Sequence, residues 1–363
     1  MPTADEMLSA AAVTELARCL GEAAPELDLS ALRAAPRELA GMSFSERGRF
    51  VRDAVLAGLP EPYPAFEAVV RTALGDPRFT GWMIWPVTEA VAARALPAHF
   101  DAGLDLLAEL TPLLTAEFAV RSFLDADLDR ALAKALTWTR HENEHVRRLA
   151  SEGTRPRLPW ARQVKAITRR PDAALPVLDA LHRDDSEYVR RSVANHLNDI
   201  SRLDPELCVR TASRWLAGGA EPRLVRHGLR TLVKQGDPAA LELLGFGPPA
   251  GLAVDGPRVR AGEVAVGEHL TFDFTLLNQG TEPLTLAIDY VVHHRKANGA
   301  LAPKVFKLTT RTLPAGEAAT IERRHSFKPI STRVYHPGEH ALELQINGQA
   351  FGRLPFLLTT QVS

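Results

Sequence analysis

The sequence predicts a multidomain chain, an all-α array of helix pairs followed by an all-β sandwich. Three observations carry that prediction. Residues up to about 245 are rich in Leu, Ala and Arg, with apolar positions at helical spacing. Residues after 251 break into short alternating runs separated by glycine turns. Between the two, Gly and Pro cluster at 245–257. The chain has 363 residues, more than one ordinary domain needs, so we place the domains at 1–245 and 251–363.

In the first domain the apolar period predicts helices at about 44–58, 64–75, 83–95, 98–111, 115–123, 126–139, 144–152, 160–169, 172–183, 186–202, 204–217, 222–235 and 238–244. Breakers fall between them, among them Gly75-Asp76-Pro77, Gly153, Asp204-Pro205, Gly218-Gly219 and Asp237-Pro238. No motif marks the first 40 residues. Further along, Glu144-His145-Val146-Arg147-Arg148 returns as Glu187-Tyr188-Val189-Arg190-Arg191, and more weakly as Pro222-Arg223-Leu224-Val225-Arg226. Each copy follows another amphipathic helix. A helix pair repeating at roughly 36–43 residues is the unit of HEAT-like repeats, which stack into an α-solenoid with a concave surface.

In the second domain, alternating runs predict strands at 270–276, 284–292, 304–308, 319–321, 340–346 and 354–358. Turn signals separate them: Asn278-Gln279-Gly280, Asn298-Gly299, Pro314-Ala315-Gly316, Pro337-Gly338 and Asn347-Gly348. Short strands at that spacing indicate an immunoglobulin-like sandwich, here without a cysteine pair to bridge its sheets.

Composition narrows the function classes. No apolar run is long enough for a transmembrane helix, so no membrane is expected. The acidic N-terminus lacks the positive n-region of a secretory signal. The two cysteines, Cys19 and Cys208, are far apart, which argues against a disulfide scaffold or a cysteine metal site and suits the cytoplasm. No coiled coil or evident dimer face appears, so a monomer is expected. Lys+Arg 43 against Asp+Glu 44 argues at first against nucleic acid. That balance averages unlike segments, however. Residues 138–170 carry nine cations and three acids, and the first 46 carry three cations and eight acids.

Several residues stand out from the pattern. In helix 186–202, Val189, Val193, Leu197 and Ile200 form the core stripe, and His196 beside them reads as a hydrogen-bonded interior histidine. Tyr188, Ser192, Asn195 and Asp199 share a different face. Arg147-Arg148, Arg190-Arg191 and Arg226 fall near helix starts, where the dipole disfavours cations unless an anion such as a phosphate docks there. Ion pairing to Asp184, Asp185 and Glu187 is the plainer explanation. Glu152 precedes the cap Gly153, where the dipole opposes an acid, and either Arg155 or Arg157 could pair with it. Asp199, late in its helix, meets the same objection. Glu117 could pair with Arg121 at i+4. Trp160, after Pro159 at a helix start, would ordinarily pack in the core.

Taken together, the stretch Trp138 to Trp160, with Ser186 to Ser201, resembles the signature region of AlkC-type DNA glycosylases, in the AlkC/AlkD superfamily of HEAT-like-repeat alkylation-repair enzymes. Thr332 to His340 with Asn347-Gly348 is similar to the immunoglobulin-like domain that a subset of them carries. The resemblance implies a monofunctional DNA glycosylase that hydrolyses the N-glycosidic bond of cationic N3-alkylated bases, 3-methyladenine and 3-methylcytosine, in base excision repair. It implies action on double-stranded DNA containing alkylated bases without enclosing the base, no metal and no cofactor. Its catalytic residues match Glu117, Glu152, Asp199 and Trp160. Phosphate contacts would then fall to Arg147, Arg148, Arg155, Arg157, Arg190, Arg191 and Arg226. His293, Arg295 and Lys296, in the polar loop 293–299 of the sandwich, would touch the duplex as well. The alternative is a non-catalytic HEAT-repeat scaffold binding DNA or protein, which has no need for three acids to converge.

Overall fold

The computed structural model describes residues 3–331 and 333–360, so Thr332 of the sandwich motif lies outside the described residues. By contacts the chain divides into two compact units, Met1–Cys208 with Arg214–Gly228, and Val209–Ser213 with Leu229–Ser363. An all-α region is followed by an all-β domain.

The helices are α1 (Ala4–Met7), α2 (Ala10–Ala23), α3 (Ser30–Ala34), α4 (Phe44–Gly58), α5 (Tyr63–Ala73), α6 (Ile84–Ala95), α7 (Phe100–Leu110), α8 (Glu117–Ala126), α9 (Leu128–Trp138), α10 (Glu144–Glu152), α11 (Lys165–Arg169), α12 (Leu175–Leu181), α13 (Glu187–Ile200), α14 (Pro205–Ala217), α15 (Pro222–Gly228), α16 (Arg230–Gln235) and α17 (Pro238–Leu243). Side-chain caps start many of them. Ser9, Asp127, Asn143, Asp204 and Asp237 each accept a backbone N–H of the first turn, and Ser43 forms a capping box with Glu46. The first 40 residues, unmarked by any motif, hold three helices, and α2 buries Val13, Leu16 and Leu20.

Two predicted helices come out differently. The stretch 160–169 is helical only in α11, and Trp160 takes a left-handed φ of 62°, so no α-helix can begin there. The stretch 222–235 is two helices, α15 and α16, broken at Leu229. The preceding Gly228 packs so closely on Leu197 that a Cβ there would lie 2.7 Å from Leu197 Cδ2. The predicted core stripe holds: Val189, Val193, Leu197 and Ile200 are all fully buried, with His196 beside them.

The second unit carries two sheets. One has three strands in the order β1-β3-β6 and the other five in the order β2-β8-β7-β4-β5. The strands are β1 (Leu252–Val259), β2 (Glu263–Ala265), β3 (His269–Asn278), β4 (Leu284–Arg295), β5 (Leu301–Leu313), β6 (Ala318–Ser326), β7 (Gly338–Ile346) and β8 (Gln349–Thr359). Strict alternation in β3 sends Leu270, Phe272, Phe274 and Leu276 into a core shared with Leu286, Ile288, Val292, Leu342 and Leu344. β1 and β2 were not anticipated: Gly and Pro interrupt one, and the other has three residues. The predicted loop 293–299 is also corrected. β4 runs through His293, His294 and Arg295, paired to β5, and the turn begins at Lys296.

Asn347-Gly348 joins β7 to β8 with both residues at positive φ, 46° and 81°, as a two-residue hairpin turn requires. The Asn347 amide does more than turn the chain. It donates to the carbonyls of Gly247 and Thr285 and accepts from the Ala287 N–H.

Candidate active site

The site is built where α8, α10 and α13 come together with the segment that follows α10. Arg121 on α8 organises that segment. It is completely buried, and its guanidinium donates to the carbonyls of Arg155 (2.8 Å), Gly153 (3.4 Å) and Arg162 (2.6 Å). Burial lowers its pKa to about 10, which still leaves it charged at neutral pH. Arg121 therefore does not pair with Glu117, as the i+4 spacing allows. It holds the loop that carries Arg155 and Trp160.

Glu117 opens α8 instead, accepting Thr115 Oγ1 at 2.9 Å and Arg148 Nη1 at 3.0 Å. Arg148, on α10, also reaches Glu152 Oε1 at 3.5 Å, and its guanidinium stacks 4.9 Å from the Tyr188 ring. Glu152, 5% exposed, ends α10 and takes Arg155 Nη1 at 2.6 Å. Arg155 bridges on to Asp199 on α13, with Nε to Oδ2 at 2.8 Å. Burial pushes the Asp199 carboxyl above its ordinary range, opposed by Arg155 and by the Arg157 backbone N–H. The order along the site is Glu117–Arg148–Glu152–Arg155–Asp199, three carboxylates alternating with two guanidiniums.

Trp160 is 62% exposed, so the core-packing expectation fails. Its indole stands edge-on to Phe44, and it lines a cavity of about 190 Å³ with Glu117, Glu152, Trp82 and Phe118. Asp199 does not line this cavity and joins it through Arg155. Gly153 matters for packing rather than for a left-handed cap. Its φ is −63°, and a Cβ would meet Leu149 O at 2.9 Å.

Residues 253–360 match a family model described as "Uncharacterised protein YhaZ, C-terminal Ig-like domain". The Bacillus subtilis (strain 168) uncharacterized protein YhaZ is 36% identical over 318 residues, covering 87% of each chain. The structure of the Pseudomonas fluorescens alkylpurine DNA glycosylase AlkC, bound to DNA containing an abasic site analogue, matches with a TM-score of 0.87 and 33% identity, across 98% of this chain and 99% of that one. The chain belongs to the AlkC-type DNA glycosylase family. It is of the kind that carries the immunoglobulin-like domain.

The arginines of the helical region named as phosphate contacts fall into three groups. Arg148 and Arg155 are built into the carboxylate chain, so they are not free for phosphates in this structure. Arg147 is bound to both Asp184 oxygens and to the His141 and Glu142 carbonyls, while Arg190 donates to the Asp184 and Asp185 carbonyls and pairs with Glu221. Arg157, Arg191, Arg226 and Lys296 are exposed. Arg295 is half-buried, and His293 faces Glu343 with its pKa lowered by burial.

The helix-start argument is corrected as well. α10 and α13 begin at Glu144 and Glu187, so the first turn is acidic and the arginine pairs come one turn later. Arg226 lies in the last turn of α15.

Thr115, Arg121 and Ser192 were not named as site residues. Ser192 was legible, since it shares a helix face with Asp199 at i+7. Among the described residues, no group of three or more His, Cys, Asp or Glu could hold a metal.

Proposed function

We propose that the chain is a monofunctional DNA glycosylase that removes cationic N3-alkylated bases, 3-methyladenine and 3-methylcytosine, from double-stranded DNA. The observation that carries the reading is the cavity on which Glu117, Glu152 and Trp160 converge. Its lining holds the two carboxylates of Glu117 and Glu152 and no cationic side chain. That lining suits a cationic ligand. The relative's bound DNA with an abasic site analogue supports a DNA substrate.

An N3-alkylated base already carries positive charge and leaves without being protonated, so the site needs no general acid. As the glycosidic bond breaks, positive charge grows on the sugar. Glu117 and Glu152 stabilise it electrostatically from the cavity wall. Trp160 offers the face of its indole to the same charge. Glu152, which both lines the cavity and is fixed by Arg155, orients the attacking water and takes its proton. Asp199 acts through Arg155, holding the guanidinium that holds Glu152. The exposed Arg157, Arg191, Arg226 and Lys296 neutralise backbone phosphates without reading sequence.

Methylated duplex DNA tests the reading. Wild type should release 3-methyladenine and 3-methylcytosine. Glu152→Gln should bind the duplex but excise about 100- to 1000-fold more slowly. A wild-type protein that binds the duplex and releases no base would leave a non-catalytic DNA-binding scaffold.

A further inference from the structure

Glu152 is a carboxylate in a costly position. It is the last residue of α10, where the helix dipole opposes negative charge, and it is buried. Its two oxygens are held in different ways. Oε1 takes the cations, Arg155 at 2.6 Å and Arg148 at 3.5 Å. The donor to Oε2 is neutral: Ser192 Oγ, from α13, at 2.6 Å.

Ser192 is itself buried and lies 3.0 Å from Ser151 Oγ. A hydroxyl has one proton and donates once. The shorter contact, to an ionised acceptor, is the stronger of the two. Ser192 therefore donates to Glu152, and Ser151 donates to Ser192. The Ser151 carbonyl accepts from His196 Nδ1 at 3.0 Å, which assigns the ring proton to that nitrogen. The donors then run one way, from the Ser151 hydroxyl to the Ser192 hydroxyl to the carboxylate, all of it buried.

We propose that Ser192 is a positioning residue for base excision, whose hydroxyl fixes the Glu152 carboxylate at the cavity wall. The proposal rests on the glycosylase reading above. A neutral donor has a specific merit at this point. A further cation on Oε2 would offset the carboxylate charge at the cavity wall that a cationic lesion needs. An apolar side chain would leave Oε2 with no donor in a buried site, free to turn toward the guanidiniums. The other charged and titratable groups around Glu152 leave Oε2 to Ser192: Arg148 and Arg155 meet Oε1, and Arg121 bonds backbone carbonyls. Arg148 bonds Glu117 and stacks on Tyr188, Arg155 bonds Asp199, and His196 bonds the Ser151 carbonyl.

The experiment compares wild type, Ser192→Ala, Ser192→Thr, Glu152→Gln and the double variant Ser192→Ala/Glu152→Gln in two measurements. The first is single-turnover excision, with duplex affinity measured separately. Ser192→Ala should slow excision about 10- to 100-fold, the worth of one hydrogen bond to a charged group, with affinity for the duplex unchanged. Ser192→Thr, which keeps the hydroxyl, should recover most of the rate. Adding Ser192→Ala to Glu152→Gln should cost nothing more, because a residue acting through Glu152 has lost its target.

The second measurement is urea unfolding of the same set. The separate losses in the folding constant, multiplied together, should exceed that of the double variant by about tenfold. Wild-type rates in Ser192→Ala, a double variant slower than Glu152→Gln by the full Ser192→Ala factor, or independent effects on unfolding would each overturn the proposal. If wild type itself excises nothing, the glycosylase reading falls, and the unfolding cycle still decides whether Ser192 holds Glu152.

Discussion

Trp160 departs furthest from what its neighbours in sequence suggest. A tryptophan after a proline is ordinarily a helix-start residue packed into the core. Here it has φ 62° and stands 62% exposed at the cavity rim. A left-handed backbone on a bulky residue costs about 1–3 kcal/mol and persists only where the surroundings enforce it. Arg121 supplies that enforcement by holding the carbonyls of residues on both sides, Arg155 and Arg162. Glycine takes the same φ without strain. Trp160→Gly should therefore keep the wild-type melting temperature or raise it slightly, while excision falls about tenfold or more with loss of the indole face. Calorimetry and the excision assay together check this, and full activity in the glycine variant would remove Trp160 from the mechanism. Neither the strain nor the role of Arg121 could be read from spacing. The i+4 rule joins Glu117 to Arg121, but α8 turns Arg121 inward, where carbonyls 32 to 41 residues away compete successfully for it.

At the scale of elements, α10 and α13 each carry an arginine pair, and the structure gives the members of a pair different work. Arg147 and Arg190 tie the preceding loop to their own helix through its carbonyls. Arg148 belongs to the carboxylate chain, and Arg191 is exposed. The two kinds of arginine should separate experimentally. Arg191→Ala should weaken duplex binding for any sequence and reduce the salt slope by about 1, with little change in stability. Arg147→Ala should leave the slope alone and destabilise the protein by about 1–3 kcal/mol, since Asp184 loses a bidentate partner in a largely buried setting. Binding isotherms across a salt series and denaturant melts give both readouts; equal slopes for wild type and Arg191→Ala would take this arginine off the phosphate backbone. The copied Val-Arg-Arg segment of α10 and α13 was legible, because it survives at helical register as a pattern of letters. Which of these arginines stays exposed was not. That depends on Asp184 and Glu221, which reach the site from neighbouring helices and loops.

Over the whole molecule, buried neutral histidines set a common response to acid. Burial lowers His196 to about 3 in the helical unit, and in the sandwich it lowers His294 to about 3 and His325 to about 4. Arg333 adds to the effect on both sandwich histidines. Unfolded histidine titrates near ~6.5. Because the folded values are depressed, the stabilisation is full above the unfolded pKa and is lost as pH falls from there toward the folded values. The melting temperature should hold between pH 8 and 7 and drop progressively below about pH 6. His325→Phe should flatten part of that drop, and a pH profile identical to wild type would show that His325 is not one of the groups responsible.

The sequence by itself determined the two-part architecture, the core stripe of α13 and the six longer strands. These depend on local periodicity, turn chemistry and caps, which are written in consecutive residues. Glu152 and Asp199 were legible as candidates because they sit late in their helices, against the dipole, whereas Glu117, at the start of α8, and Trp160 were named only by the family resemblance. Only the tertiary structure decided how they are joined. The Glu117–Arg148–Glu152–Arg155–Asp199 chain runs across three helices and a loop, and Ser192 meets Glu152 from 40 residues away. Pairing among buried charges follows distance and desolvation in the folded chain, and neither quantity exists until the helices have packed.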